Sequence, residues 1–521
     1  MKNIVKVAAI SIAIVASALG QQKPRATTSK FHISGTVVDA TSGEPVQAAE
    51  VAIASTSDRL AVRAMVTQED GRFDFESVTP GKYSLTAVAR RFNYQGLDEH
   101  EGYFTGVAVG PGLDSVGIVF RLKPEGSIRG RIVDDYGEPV GSARVMLFYD
   151  GLVEGRSGAH AADETTTDEL GDFRFSHLPA GNYKIAAVGQ PWYADGTHRG
   201  SELDVAYGLT YFAGVVEPGE ATAIVVRPGE RAEADFSLHA VHTVHVPVSG
   251  DQFATRITEQ VFDRAEDAAL LNVNGDPNSK TIALAPGNYV AHLYGGADSA
   301  DKWRAENLNV TDDTGLDLSK APKSPKISAA LHFADAATKA DGITLELRNF
   351  DNGEIRAGQA DAKGEVQFDS PYLRAGSYYV MLRARGLHIA GITASGATLD
   401  GRSIEIPESG AARLDVTLAR GMGRVDGVAL REGKPFAGAM VLLVPENPAG
   451  NYILFRRDQS DSDGTFSLPL VVPGKYTAVA IADGFDLEWS NPEVIKRYLS
   501  AGTKVEVATS PLKIQVKVQQ K

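Results

Sequence analysis

The chain contains no cysteine in 521 residues. That absence excludes disulfide frameworks, thiolate metal sites and thiol catalysis together. Methionine (6) and tryptophan (3) are scarce as well, so each tryptophan position stands out. No His-x-x-Glu pair occurs, which removes the usual two-ligand core of a catalytic zinc site. There is no Gly-x-Ser-x-Gly elbow, and Gly421-Met-Gly423-Arg-Val-Asp-Gly427 has the wrong spacing for dinucleotide phosphates. Basic residues are outnumbered, 52 against 66 acidic ones, for a formal net charge of −14. Such a surface repels nucleic acid and anionic lipid head groups.

Long hydrophobic runs are missing too. The one apolar stretch, Val7 to Ala18 behind Lys2 and Lys6, is about 12 to 14 residues against the roughly 20 needed to span a bilayer. It reads as the core of a signal peptide covering residues 1–20, with cleavage at Gly20-Gln21. Cleavage would remove two lysines, giving −14 − 2 = −16. No cysteine follows the run, so a lipoprotein anchor is not expected, and no later stretch reads as a transmembrane segment of the mature chain. The expected location is secreted, extracellular or periplasmic, associated with the outer envelope.

Glycine (53) and proline (24) are abundant, and they recur in a block. Thr67-Gln-Glu-Asp70-Gly71-Arg-Phe73-Asp-Phe75 leads to Pro80-Gly81-Lys-Tyr83. It returns as Asp168 to Gly171, Phe173, Phe175 and Gly181-Asn-Tyr183, and again as Asp463-Gly464, Phe466, Leu468 and Pro473-Gly474-Lys-Tyr476. Asp-Gly supplies a hairpin turn, and aromatics two apart share one face of a strand. Pro-Gly fits a type II turn, and the following Tyr can bury its ring while bonding backbone through its hydroxyl. Second-turn glycines at Gly81, Gly181, Gly287, Gly376 and Gly474 lie 100, 106, 89 and 98 residues apart. That period suits one sandwich domain per copy. Five modules are expected: 31–122, 126–239 with an aromatic insertion, a divergent 241–319, 326–419 and 423–518. The third keeps Ala285-Pro286-Gly287-Asn-Tyr289 but lacks the preceding Asp-Gly-x-Phe. With no low-complexity linker between them, the modules read as a semi-rigid string.

One short helix is expected near the C-terminus, with Asn491 as N-cap, Pro492 in the first turn, and Lys496 and Arg497 at its end. Everything else reads as strand and turn, so the fold class is all-β: a tandem array of about five Ig-like or transthyretin-like sandwiches.

The motifs G-x-V-x-D, G-x-P-V-x-x-A-x-V, D-x-x-G-x-F-x-F and P-G-x-Y, in that order, resemble the carboxypeptidase regulatory-like domain. This is a transthyretin-like (prealbumin-like) sandwich grouped with carbohydrate-binding-like folds. The segment from Tyr207 to Gly214 through Asp235 to Leu238, and that from Trp489 to Tyr498, are similar to stretches of secreted multi-module proteins of acidobacteria. The resemblance implies an accessory role without catalysis, since a fold alone carries no activity. Carbohydrate is the implied ligand class and an envelope protein the rival partner.

Ligand contacts are expected where the copies differ. Trp192, Tyr193, Tyr207, Tyr211 and Phe212 fall within 21 positions, in the segment between Gln190 and Pro218 that lies outside the repeat framework. Aromatic faces there could stack on sugars, anchor a protein, or simply cover the end of the sandwich. His239, His242 and His245, three apart, alternate faces on a strand and do not form a metal set. Asp458 to Gly464 reads as turn chemistry in preference to a calcium loop. No catalytic residue, metal or cofactor is assigned. The alternatives are a purely structural spacer, or a hydrolase with an unrecognised site in the third or fourth module.

Overall fold

The structure, a computed structural model, describes residues 31–57, 60–113, 115–194, 202–249, 254–268, 281–294, 304–311, 316–317, 324–333, 339–368 and 373–521. The signal-peptide expectation at residues 1–20 lies outside them. Strands dominate, and among the described residues the one α-helix spans Pro492–Leu499. Its start is the expected one: the Asn491 side chain accepts the Glu493 N–H at 3.0 Å.

The strands pack as successive sandwiches. In the first, Phe31–Asp39 lies between antiparallel Arg72–Val78 and parallel Ile118–Leu122. The facing sheet orders Val62–Val66, Glu50–Ser55 and Gly81–Val88, with Gln95–Gly96 and Val107–Val109 on its far edge. Parallel pairing of the first and last strands recurs in the four later sandwiches. The divergent stretch is included. Val244–Ser249 sits between Thr281–Leu284 and Leu316–Asp317, opposite a sheet ordered Arg264–Asp267, Ala254–Val261, Gly287–Tyr294 and Arg304–Val310. That is the strand order of the first sandwich, kept although its first turn motif has gone.

Alternation explains the cores. Phe73 and Phe75 are 2% and 3% exposed, and Phe173 and Phe175 4% and 1%. Each ring pair leaves the pleat on the inner face, while the polar residues between point outward. Tyr83, Tyr183, Tyr289 and Tyr476 each donate a hydroxyl hydrogen bond to the carbonyl four residues earlier, at 2.8–3.0 Å. Tyr378 departs from this and donates to the Glu354 carboxylate at 2.7 Å. First-turn glycines Gly71, Gly171, Gly364 and Gly464 take φ of 68°, 75°, 83° and 75° as expected. The second turn differs from expectation. Gly81, Gly376 and Gly474 take φ of 156°, 132° and 158°, so they open the next strand instead of closing a type II turn.

The array folds back on itself. The first-turn loop of the fifth sandwich docks on the first sandwich. The Gly106 N–H donates to Asp461 Oδ1 at 2.9 Å, the Ala108 N–H to Ser462 Oγ at 2.9 Å, and the Ser462 N–H to the Gly106 carbonyl at 2.9 Å. Lys82 pairs with Asp461 at 2.5 Å, Arg457 with Glu101, and His100 stacks on Phe485 at 4.1 Å. A loop expected to be scaffold therefore joins partners more than 350 residues apart in sequence.

Candidate functional site

The five predicted aromatics part into two groups. Tyr207 and Tyr211 are 2% and 1% exposed. Tyr207 belongs to the second core, and Tyr211 packs at 5.1 Å against Phe262 of the third sandwich. Burial pushes both hydroxyls above their ordinary range. Phe212 is half-buried, edge-on to Phe236 at 6.0 Å. These three are corrected to packing residues. Thr210–Tyr211 adds to a sheet edge and Val205–Tyr207 pairs with Ala240–His242 in a separate two-stranded sheet, which turns the rings inward.

Trp192 and Tyr193 remain outside. Pro191 is buried as an anchor, and the Ala194 N–H donates to its carbonyl at 3.0 Å. This four-residue turn puts Trp192 and Tyr193 at its central positions. Trp192 is 90% exposed and meets the half-buried Tyr193 ring edge-on at 5.7 Å. Burial raises the Tyr193 hydroxyl pKa, and Tyr136, Asp134 and Asp135 add to the shift. Tyr136, 82% exposed, is presented by its own turn, in which Asp134 Oδ1 accepts the Tyr136 and Glu138 N–H groups at 2.8 and 2.9 Å.

A second site lies away from these five aromatics. Arg144–Val153 and Arg156–Thr166 form a hairpin longer than its counterpart in the first sandwich, with a ten-residue outgoing strand against six. Its two-residue tip, Glu154 (φ 48°) and Gly155 (φ 75°), is the turn type that suits the strand twist. The tip enters an aromatic cradle. Tyr452 donates its hydroxyl hydrogen bond to the Glu154 carbonyl at 3.2 Å, and Ser490 donates to the Gly155 carbonyl at 2.6 Å. Arg156 pairs with Asp351 at 2.7 Å and lies over the Phe350 and Tyr452 rings at 5.3 and 5.8 Å.

Beside this dock lies a cleft of about 640 Å³, shared by four sandwiches. The first contributes Tyr103, the second Glu154, and the fourth Arg348, Phe350 and Met381. The fifth contributes Tyr452, Ile453, Phe455 to Asp458, Ser467 to Leu470, and Trp489. Local sequence places the key groups. Arg348 ends a strand, and Asn349 Oδ1 caps the following turn by accepting the Asp351 and Asn352 N–H groups at 2.8 and 3.2 Å. Arg348 and Phe350 are two apart, and the guanidinium lies 4.7 Å from the ring centroid. Trp489 stacks near-parallel on Tyr452 at 6.3 Å and packs against Phe455 at 5.3 Å.

The charges of the cleft are unequally partnered. Arg457 pairs with Glu101 and lies over Tyr103 and Trp489. Among the described residues Arg456 donates only to the carbonyls of Ile453, Phe455 and Leu470, and burial lowers its pKa. Burial raises the Asp458 carboxyl to about 6, although it accepts the Ser467 and Gln459 N–H groups. Arg348 has no ion pair and no side-chain hydrogen bond among the described residues. Its Nε is buried without an acceptor, as is the Trp489 indole N–H. A buried donor left so costs about 1–3 kcal/mol.

The remaining chemistry is dispersed. His239 pairs with Asp135 at 2.5 Å, His245 with Asp204 at 2.8 Å, and His242 is exposed, so the three do not converge. In the third sandwich burial raises Glu259 to about 7 and lowers His292 to about 3. His292 bonds Thr258 at 3.0 Å, and Glu259 is the next residue on that strand, so the two acid–base groups leave opposite faces. Asp461 is held by Lys82 and the Gly106 N–H, consistent with docking-turn chemistry.

Residues 32–119 and 127–239 each match the carboxypeptidase regulatory-like domain family, so the first two sandwiches are copies of that domain. No curated protein matches the chain. Solved structures similar to it include the minor pilin GBS52 of Streptococcus agalactiae, with 14% identity, 42% of this chain and 98% of that one covered, and a TM-score of 0.22. The Bacillus anthracis TIE protein covers 95% of this chain with 76% of its own, at 12% identity and a TM-score of 0.18. The shaft pilin SpaA of Lactobacillus rhamnosus GG covers 43% with all of its own length, at 12% identity and a TM-score of 0.20. Likeness this low bears on neither ligand nor assembly.

Proposed function

We propose that this chain, with two carboxypeptidase regulatory-like domains followed by three sandwiches of related topology, is a non-catalytic binding protein of the cell exterior. Its five modules are 31–122, 126–239, 241–319, 326–419 and 423–518, behind a signal peptide at 1–20. The ligand is carbohydrate, held on the Trp192 and Tyr193 rings, with an envelope protein as the alternative partner for the same surface. One observation carries this reading: a tryptophan 90% exposed at the centre of a turn pinned by a buried proline. A large apolar ring left in water by an ordered turn suits stacking on a sugar face. Asp135 and the Tyr136 hydroxyl, both exposed, offer partners for sugar hydroxyls nearby.

The test is a glycan array with the parent chain and Trp192→Ala. Binding to a neutral glycan should weaken about tenfold or more on losing the stacked ring. If the parent binds no glycan and no envelope protein, the reading fails. A spacer then remains, favoured by the docking of the fifth sandwich on the first.

A further inference from the structure

We propose that the cleft between the first, second, fourth and fifth sandwiches is a separate binding site for an acidic sugar, its carboxylate held by Arg348. The inference shares the carbohydrate class with the function proposed above, and in that it rests on it, but it uses none of the same residues.

In an acidic chain, a cleft arginine is ordinarily neutralised. The neighbouring cations are engaged: Arg156 has Asp351, Arg457 has Glu101, and Arg456 is held by the Ile453, Phe455 and Leu470 carbonyls. Arg348 has only the face of Phe350 beneath it, and no carboxylate within ion-pair distance among the described residues. A guanidinium stacked on a ring keeps its outer edge for a planar, two-oxygen acceptor, and a carboxylate fits that fork. A simple anion would leave the opposite wall unused. Glu154 and Asp458 line the same cleft; Asp458 already accepts the Ser467 and Gln459 N–H groups, whereas the Glu154 carboxylate has no side-chain donor among the described residues and can take donors from a ligand. Sugar hydroxyls supply them, while Phe350 and Tyr452 give apolar wall for a ring face. A volume of about 640 Å³ holds a ligand of two or three sugar rings. One ligand with carboxylate, hydroxyls and ring faces answers all three features.

Calorimetry of the full chain with tri-galacturonic acid and with its neutral counterpart, galactotriose, tests this at low salt. The acidic trisaccharide should bind at least about tenfold more tightly than the neutral one, and Arg348→Gln should remove that preference. Arg348→Lys keeps the charge and loses the fork, so it should retain part of the preference, which guards against a variant that merely misfolds. Trp192→Ala should leave acidic-sugar binding unchanged. The proposal is overturned if both trisaccharides bind alike, if neither binds, if Arg348→Gln keeps the preference, or if Trp192→Ala abolishes it. Failure of the Trp192 reading shows separately, as neutral-glycan binding indifferent to Trp192.

Discussion

Asp458 shows how one residue sets a pH dependence. Burial raises its carboxyl from 3.8 to about 6. The folded state therefore binds the proton more tightly than the unfolded chain, and stability falls as pH rises from about 4 to about 6. The upper bound on that contribution is about 3 kcal/mol, before solvent relaxation reduces it. Glu259, raised to about 7, acts in the same direction, whereas His292, lowered to about 3, acts oppositely because it stays neutral where the unfolded chain protonates. Asp458→Asn should remove one titration and flatten the decline in melting temperature between pH 4 and 6. An unchanged pH profile in the variant would show that Asp458 ionises freely in the fold.

Among the elements, the hairpin of the second sandwich ties it to the fourth and fifth. Its Gly155 has φ 75°, and a Cβ there would lie 2.6 Å from the Trp489 ring. Gly155→Ala thus combines backbone strain of about 1–2 kcal/mol with loss of the dock. Gly137→Ala is the control, since that glycine has φ 78° but open space around it. The Gly155 variant should lower the melting temperature more than the control and expose Trp489 to fluorescence quenchers. Equal effects would mean that the tip contributes strain alone.

For the whole molecule, Asp461 is the test of closure. It accepts the Gly106 N–H and pairs with Lys82, so Asp461→Ala removes two of the ties between the first and fifth sandwiches. A compact chain of about 490 residues scales to a radius of gyration of about 23 Å, and opening increases it. Small-angle scattering should show a larger radius for the variant, and for the parent at high salt, where the partly exposed ion pair weakens. Superimposable curves would place the closure in the other contacts, above all Arg457 with Glu101.

Much of this was legible in the sequence because it is local. Asp-Gly turns, paired phenylalanines, the tyrosine four residues from its carbonyl and the Asn491 cap each depend on neighbours a few positions away. The period near 100 residues determined one sandwich per copy, and first-to-last strand pairing follows it even in the divergent third. Tertiary structure alone decided which aromatics meet water. Tyr207, Tyr211 and Trp192 look alike in sequence, yet two are buried and one stands outside, because burial depends on what the rest of the chain brings against each ring. It also decided the cleft and the closure, since Arg348 shares a cleft with Tyr452 and Trp489, and Lys82 meets Asp461, across separations that no local pattern encodes.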